Sequence, residues 1–464
     1  MTHAPASPSC LGNTSNKNLV STLTDRLIRP ESQLDFTTQR RIVVVLIVFA
    51  TLNALLWSFV RVPGSGGPDE RNHFNVVEQM VATGELPRFQ GYRPGAFSQG
   101  PIRAQVAYEL TPNLTAIPVA FVISAMGSND YSLNVHIARL FMVALYPITL
   151  TFAFLTMRRV FPDSIVSPIC GVCVMCSVPM FTLVHTYYTN DAPAITAATV
   201  ATYAVVRASQ SDFATWDTVI LGLSLALVAL HKYTGFILFP AAAILMCWHF
   251  YSNPRRLLQT LMAAFSIAVL FGSWWYIRNW SLYGDPFGIS YTQDAVDASG
   301  GAPIPPRSRG LSLFSFVAET NWISENFATF WGGYKGERLK LPGAAYLTLT
   351  ALLITSGLGL VLRLVSESGA RDASFRIPLL VIMAVMHIGL WIVSFWSSYT
   401  VDVALHGRYV FPTFAAFAII VVAGLSEVLR RAKLPARLAI ATIPILLAAN
   451  GAYFIHSVLP DVNY

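Results

Sequence analysis

Residues 42–60 read IVVVLIVFATLNALLWSFV, and no charged side chain interrupts them. An apolar run of this length meets the roughly 20 residues that a helix needs to cross about 30 Å of hydrocarbon. The chain then continues Gly64-Ser65-Gly66-Gly67-Pro68-Asp69-Glu70-Arg71-Asn72-His73. The glycines allow a tight exit from the span. Pro68 suits a first helical turn, and the acidic pair suits the positive end of a helix dipole. The spacing predicts a helix running to Thr83, with Gly84 as its stop. Phe74, Val77 and Val81 share one face of that helix, which is expected to lie on the membrane surface. Asp69 and His73 stand one turn apart.

Working outward, the same kind of block recurs at Ser164–Tyr188 and again at Ala436–Leu459. Charged residues make up only 12% of the 464, and 54% are hydrophobic. A soluble domain carries about 25% charged residues, so a soluble protein is excluded. The bilayer cannot satisfy backbone hydrogen bonds, and helices are therefore the expected spanning form. The fold class is all-α, a polytopic integral membrane protein of about eleven transmembrane helices. The expected spans are 41–60, 134–157, 164–188, 191–208, 215–231, 234–251, 256–277, 343–363, 376–398, 409–430 and 436–458. Residues 1–40 are expected to form a flexible cytoplasmic tail, and 41–464 a single transmembrane domain. The net charge of +7 is spread over loops between apolar blocks, which is no footprint for nucleic acid. Cys170, Cys173 and Cys176 lie inside an apolar block and read as small buried hydrophobes rather than metal ligands.

The distribution of basic residues orients the chain. The segment 112–126 is apolar but short, with Pro112 opening it and Pro118 interrupting it. If it does not cross, Arg40/Arg41, Arg158/Arg159, Arg207, Arg255/Arg256, Arg371/Arg376 and the 430–437 cluster all fall on the cytoplasmic side, leaving only Lys232 and Arg408 in short outer loops. We therefore read 112–126 as a juxtamembrane or re-entrant helix, with the N-terminus inside and the C-terminus outside. Two long outer segments result, 61–133 and 278–342. Their aromatics argue for order, and Trp322, Phe327, Phe330, Trp331 and Tyr334 suggest that the second packs over a cavity.

With sides assigned, Asp69, Glu70, His73, Glu109, Asp191, Lys232, Arg278, His406 and Arg408 all fall at one membrane edge. Each has an ordinary explanation when taken singly. Asp69, Glu70, Glu109 and Asp191 suit helix caps, Lys232 and Arg278 suit snorkelling cations, and His406 suits a plain loop. His231 suits packing, and Arg139 a buried helix partner. Ionisable residues at membrane edges are costly, however, and usually mark a site. Cations at headgroup depth suit a phosphate, and a carboxylate beside them can serve as general base toward a hydroxyl. Together these describe glycosyl transfer from a lipid-phosphate sugar. A transporter or flippase of a lipid-linked sugar would need a similar cavity, but no internal repeat is visible and the polar residues avoid the midplane.

The ordered set resembles the GT-C superfamily of membrane glycosyltransferases, which includes the protein O-mannosyltransferases and the lipid A aminoarabinose transferase. The features that carry the likeness are Pro68-Asp69-Glu70 with His73, Gly84-Glu85-Leu86-Pro87, Glu109 before a Pro-containing segment, and the Asp191 turn. Leu230-His231-Lys232-Tyr233, Arg278-Asn279-Trp280 with Tyr283-Gly284-Asp285-Pro286, and Gly407-Arg408-Tyr409 with Pro412 complete it. The likeness covers about residues 40–455 and is closest to an uncharacterised bacterial branch. It implies a polyprenyl-phosphate sugar donor, an inverting transfer, and a hexosyl- or pentosyltransferase of cell-envelope glycan assembly in the bacterial inner membrane. Asp69 would be the catalytic carboxylate, supported by Glu70. Lys232, Arg278 and Arg408 would hold the donor phosphate, with His73, Glu109, Asp191 and His406 around the substrate. Some members need a divalent cation and others do not; Asp191, or Asp69 with His73, stays open as its site. The acceptor, whether glycan, lipid or protein, is not implied.

Overall fold

The computed structural model describes residues 35–60, 67–89, 108–288, 290, 304–332, 341–367 and 373–434, and among these there is no β-strand. The order is α1 (Phe36–Val60), α2 (Glu70–Thr83), α3 (Ala116–Met126), α4 (Tyr131–Val160), α5 (Val166–Ser177), α6 (Pro179–Val184), α7 (Asp191–Gln210) and α8 (Thr215–Ala229). A 3-10 turn at Tyr233–Ile237 leads into α9 (Leu238–His249), α10 (Pro254–Gly272) and α11 (Trp274–Tyr283). Next come α12 (Leu313–Thr320), α13 (Trp322–Trp331), α14 (Gly343–Glu367) and α15 (Ala373–Thr400). A second 3-10 turn, Gly407–Thr413, opens into α16 (Phe414–Arg431).

By length and composition, six of the described helices can cross a membrane: Phe36–Val60, Tyr131–Val160, Pro254–Gly272, Gly343–Ser366, Ile377–Thr400 and Gly407–Arg431. Four shorter apolar helices accompany them. The expected eleven are thus not all single uninterrupted helices. The block 164–188 divides at Val178, which is extended (φ −86, ψ 109) because the ring of Pro179 disfavours a helical residue before it. Ala116–Met126 has 11 residues, about 16 Å of helix, too short to cross. The expected span 436–458 and most of the expected tail lie outside the described residues.

Two ends of the bundle differ in chemistry. At one end Arg158 of α4 donates to Gln39, Arg159 donates to Gln210 at the end of α7, and Arg207 pairs with Asp217 at the start of α8. Asp212, between α7 and α8, pairs there with Arg256 at the start of α10. The other ends of α7 and α8 carry Asp191 and lead to Lys232. Between them α7 is buried along most of its length, and Thr149 of α4 hydrogen-bonds Thr196 of α7 at 2.8 Å.

Outside this core, α14 leans on α16 and exposes Leu347, Ile354, Leu358, Val361 and Val365. The two helices approach through glycine. A Cβ on Gly424 would stand 1.9 Å from the carbonyl oxygen of Ser356, while one on Gly357 would meet nothing within 4 Å. Alanine is intrinsically about 1 kcal/mol better than glycine in a helix. Gly424→Ala is nonetheless expected to lower the melting temperature of the detergent-solubilised protein, and Gly357→Ala to leave it equal or higher.

Candidate functional site

The acidic pair is split by its backbone. Asp69 has φ 59 and ψ 13, in the left-handed region that few residues other than glycine adopt. His73 N–H donates to the Asp69 carbonyl at 3.0 Å, but the Asp69 side chain makes no capping hydrogen bond and remains 44% exposed. Glu70, one residue on, points the opposite way. Both of its oxygens accept from Arg139, Nε to Oε1 and Nη2 to Oε2, each at 2.7 Å. Glu70 Oε1 also accepts the Tyr188 N–H at 3.0 Å, and Arg139 Nη1 donates to the Ser58 carbonyl. Both side chains are fully buried. Glu70 therefore ties the start of α2 to α1, α4 and the approach to α7. The apolar face of α2 follows it inward. Phe74 and Val77 are buried against protein, with Phe74 edge-on to Tyr131 and Tyr188, so the face expected to meet lipid is covered by the bundle.

Asp191 supplies the second carboxylate from the first turn of α7. Lys232, extended between α8 and the 3-10 turn, donates Nζ to Asp191 Oδ1. Arg408, from the turn before α16, places Nε 3.1 Å from Asp191 Oδ2 as an ion pair rather than an aligned hydrogen bond. Its Nη2 lies 3.8 Å from Asp69 Oδ2. Charges thus alternate in a row: Lys232, Asp191, Arg408, Asp69. The Tyr409 ring lies 4.8 Å from Lys232 Nζ and 5.5 Å from the Arg408 guanidinium carbon, where its π face favours both cations. His73 packs against Tyr108 with ring centroids 4.0 Å apart and the rings tilted by 49°. Burial lowers the pKa of His73 to about 3. Burial, with Arg408 adding to it, lowers that of His406 to about 4. Both rings are neutral at ordinary pH. Burial pushes the Tyr108 hydroxyl well above its usual range, and Asp69 adds to the effect.

The structure brings Asp69, His73, Asp191, Lys232, His406 and Arg408 together. Glu109 is held apart from the row: it is joined to it by no ion pair among the described residues, and burial raises its carboxyl above the ordinary range. Arg278 turns elsewhere, donating to the Pro87 carbonyl and to Asn279, with its guanidinium 5.1 Å from the Trp275 ring. It pins the strand after α2. Beside it, Asn279 and Trp275 both donate to the Leu110 carbonyl and fix the turn that carries Tyr108. The sequence assigns no role to Tyr108 or Tyr409; for Tyr409 the available signal is an aromatic ring beside the loop cation Arg408. Among the described residues, no three His, Cys, Asp or Glu side chains converge to hold a metal ion. Both Asp191 oxygens face cations, which leaves that carboxylate a poor ligand for a divalent cation.

In comparisons, the family profile described as Dolichyl-phosphate-mannose-protein mannosyltransferase matches residues 118–276. No curated protein matches the sequence. Among solved structures, ArnT from Cupriavidus metallidurans in the apo state is similar with a TM-score of 0.53 at 13% identity, over 82% of this chain and 59% of that one. ArnT bound to undecaprenyl phosphate gives 0.52 at 14%, over 90% and 73%. The Archaeoglobus fulgidus oligosaccharyltransferase tethered with an acceptor peptide gives 0.52 at 12%, over 89% and 55%. The chain spans little more than half the length of two of these three, and at such identities the likeness is one of fold.

Two outcomes follow from the geometry. Glu70→Gln leaves the Arg139 charge buried without its counter-charge, a loss of about 3–5 kcal/mol. It should lower the melting temperature sharply, whereas unchanged melting with lost activity would make Glu70 a reacting group. For His73 and His406, the unfolded chain takes up a proton near pH ~6.5 that the folded chain accepts only at about 3 and about 4. Protons then favour unfolding, so stability should be level above about pH 7 and fall as pH drops below about 6.5. Thermal melts across pH should show this slope, and His73→Asn should flatten part of it.

Proposed function

We propose, on the premise that this chain has the fold of the GT-C superfamily of membrane glycosyltransferases, that it transfers a sugar from a polyprenyl-phosphate donor to an acceptor hydroxyl at the extracytoplasmic membrane face. The observation that carries this reading is the row Lys232–Asp191–Arg408–Asp69, in which two cations flank one carboxylate and a second, half-exposed carboxylate stands at the open end. The ArnT structure bound to undecaprenyl phosphate supports a lipid phosphate as the leaving group.

Residue by residue, the chemistry runs as follows. The donor phosphate oxygens are held by Lys232 and Arg408, in place of part of their contact with Asp191. Asp69 accepts the proton of the acceptor hydroxyl. The freed oxygen forms a bond to the anomeric carbon as the bond from that carbon to the phosphate oxygen breaks. The electron pair leaves with polyprenyl phosphate, whose developing charge the two cations stabilise. Attack from the face opposite the leaving group inverts the anomeric centre. Asp191 keeps Lys232 and Arg408 in place between turnovers, and the His73–Tyr108 pair walls the site beside Asp69. Glu70 supports Asp69 through the backbone, by fixing the turn from which it projects, and Arg278 supports the wall from behind. A hexosyl or pentosyl donor of cell-envelope glycan assembly fits this scheme.

Asp69→Asn preserves size and the tolerance of a left-handed backbone but removes basicity. Loss of a general base typically lowers rate about a hundred- to ten-thousandfold. In nanodiscs supplied with polyprenyl-phosphate hexose or pentose and an envelope extract as acceptor, transfer should fall by that factor while melting is unchanged. Near-wild-type transfer by the folded variant would overturn the assignment.

A further inference from the structure

The second outer segment meets the backbone leading into Arg408 through polar side chains of α13 rather than through its aromatic rings. Trp322, Phe330 and Trp331 of α13 are buried. Phe330 packs on Phe411, Phe414 and Phe417, and Trp322 packs on Trp391 and Phe395. The polar face of α13 is what touches residues 404–407. Gly407 N–H donates to Thr329 Oγ1 at 2.8 Å. The same hydroxyl lies 3.1 Å from the Leu405 carbonyl and 2.8 Å from that of Glu325, one of which takes its proton. Asn326, fully buried, donates from Nδ2 to the Ala404 carbonyl at 3.3 Å and to that of Trp322 at 3.0 Å. Gly407 runs so close to α13 that a Cβ on it would stand 2.3 Å from the Asn326 carbonyl oxygen. Arg408 is the next residue, and the backbone held on one side by Thr329 sets where its guanidinium emerges between Asp191 and Asp69.

Resting on the proposed lipid-phosphate chemistry, we propose that Thr329 is a positioning residue for donor-phosphate binding, acting through the Gly407 N–H to aim Arg408. A half-buried side-chain hydroxyl that accepts the Gly407 N–H while lying beside the Leu405 carbonyl meets that segment at two points and fixes where it runs. Valine has nearly the same shape but neither accepts nor donates, so Thr329→Val frees the segment without opening a cavity.

The test measures binding of undecaprenyl phosphate to the full-length protein in nanodiscs, with undecaprenol as the phosphate-free control, and thermal melting of each variant. Thr329→Val is expected to weaken undecaprenyl phosphate about tenfold, the scale of one lost hydrogen bond, with binding of undecaprenol unchanged and melting lowered only modestly by the Gly407 N–H left without its acceptor. Thr329→Ser should restore binding. Thr320→Val, whose hydroxyl among the described residues bonds only to Phe316 of its own helix, should behave as wild type. In an Arg408→Ala background, Thr329→Val should add nothing, because the residue it aims is gone. Full additivity in that background, or wild-type binding by Thr329→Val while Arg408→Ala is weakened, would overturn the proposal. If Thr329→Val does not fold, Thr329→Ala is scored in the same cycle. Failure of the wild type itself to prefer undecaprenyl phosphate over undecaprenol would overturn the donor reading and this proposal with it.

Discussion

A carboxylate and a guanidinium, both shut away from solvent, hold the rest of the site in place. Glu70 and Arg139 face each other through two hydrogen bonds, and each also bonds backbone, that of Tyr188 and of Ser58. A pair buried this deeply gains stability only when its geometry and its extra partners are good, because removing two charges from water is expensive. The pair and its partners belong to four different parts of the chain, so the pair acts as a rivet. From the residue before this anchor, Asp69 takes a left-handed backbone and faces Arg408.

The row beyond it is electrically self-contained. Lys232 and Arg408 share the Asp191 carboxylate, and Arg408 also faces Asp69. In a low-dielectric setting such a row keeps long cationic side chains extended and ready, where isolated charges would fold back to find water. An anion entering the row would compete with one internal carboxylate rather than with bulk solvent. Neutral His73 and His406 beside the row add no charge, leaving the balance to four groups.

Much of this was legible in the residues. Gly84 does end α2 in the left-handed cap that its position announced, with φ 68 and its N–H on the Met80 carbonyl. Asp69, Asp191, Lys232 and Arg408 do share one end of the bundle. What sequence did not separate was the acidic pair. Adjacent helical residues point about 100° apart, and the left-handed turn at Asp69 widens the difference, yet Asp-Glu reads as one feature. Nor does the pattern of Phe74, Val77 and Val81 say whether lipid or protein covers a face, since both are apolar. Arg278 was placed on the phosphate because it is a cation at the right edge; the Pro87 carbonyl that it meets lies 191 residues away in sequence. Tyr108 went unremarked because a lone tyrosine in a loop carries no periodicity.

The left-handed backbone at Asp69 bears on how this position responds to random change. A residue with a Cβ gives up free energy to sit at φ 59, and glycine does not. Selection for a sturdier protein alone would push position 69 toward glycine. An aspartate there runs against that gradient, so variants enriched for thermal tolerance and variants enriched for turnover should drift apart at this codon, a trade familiar where strained backbone meets reactive side chains.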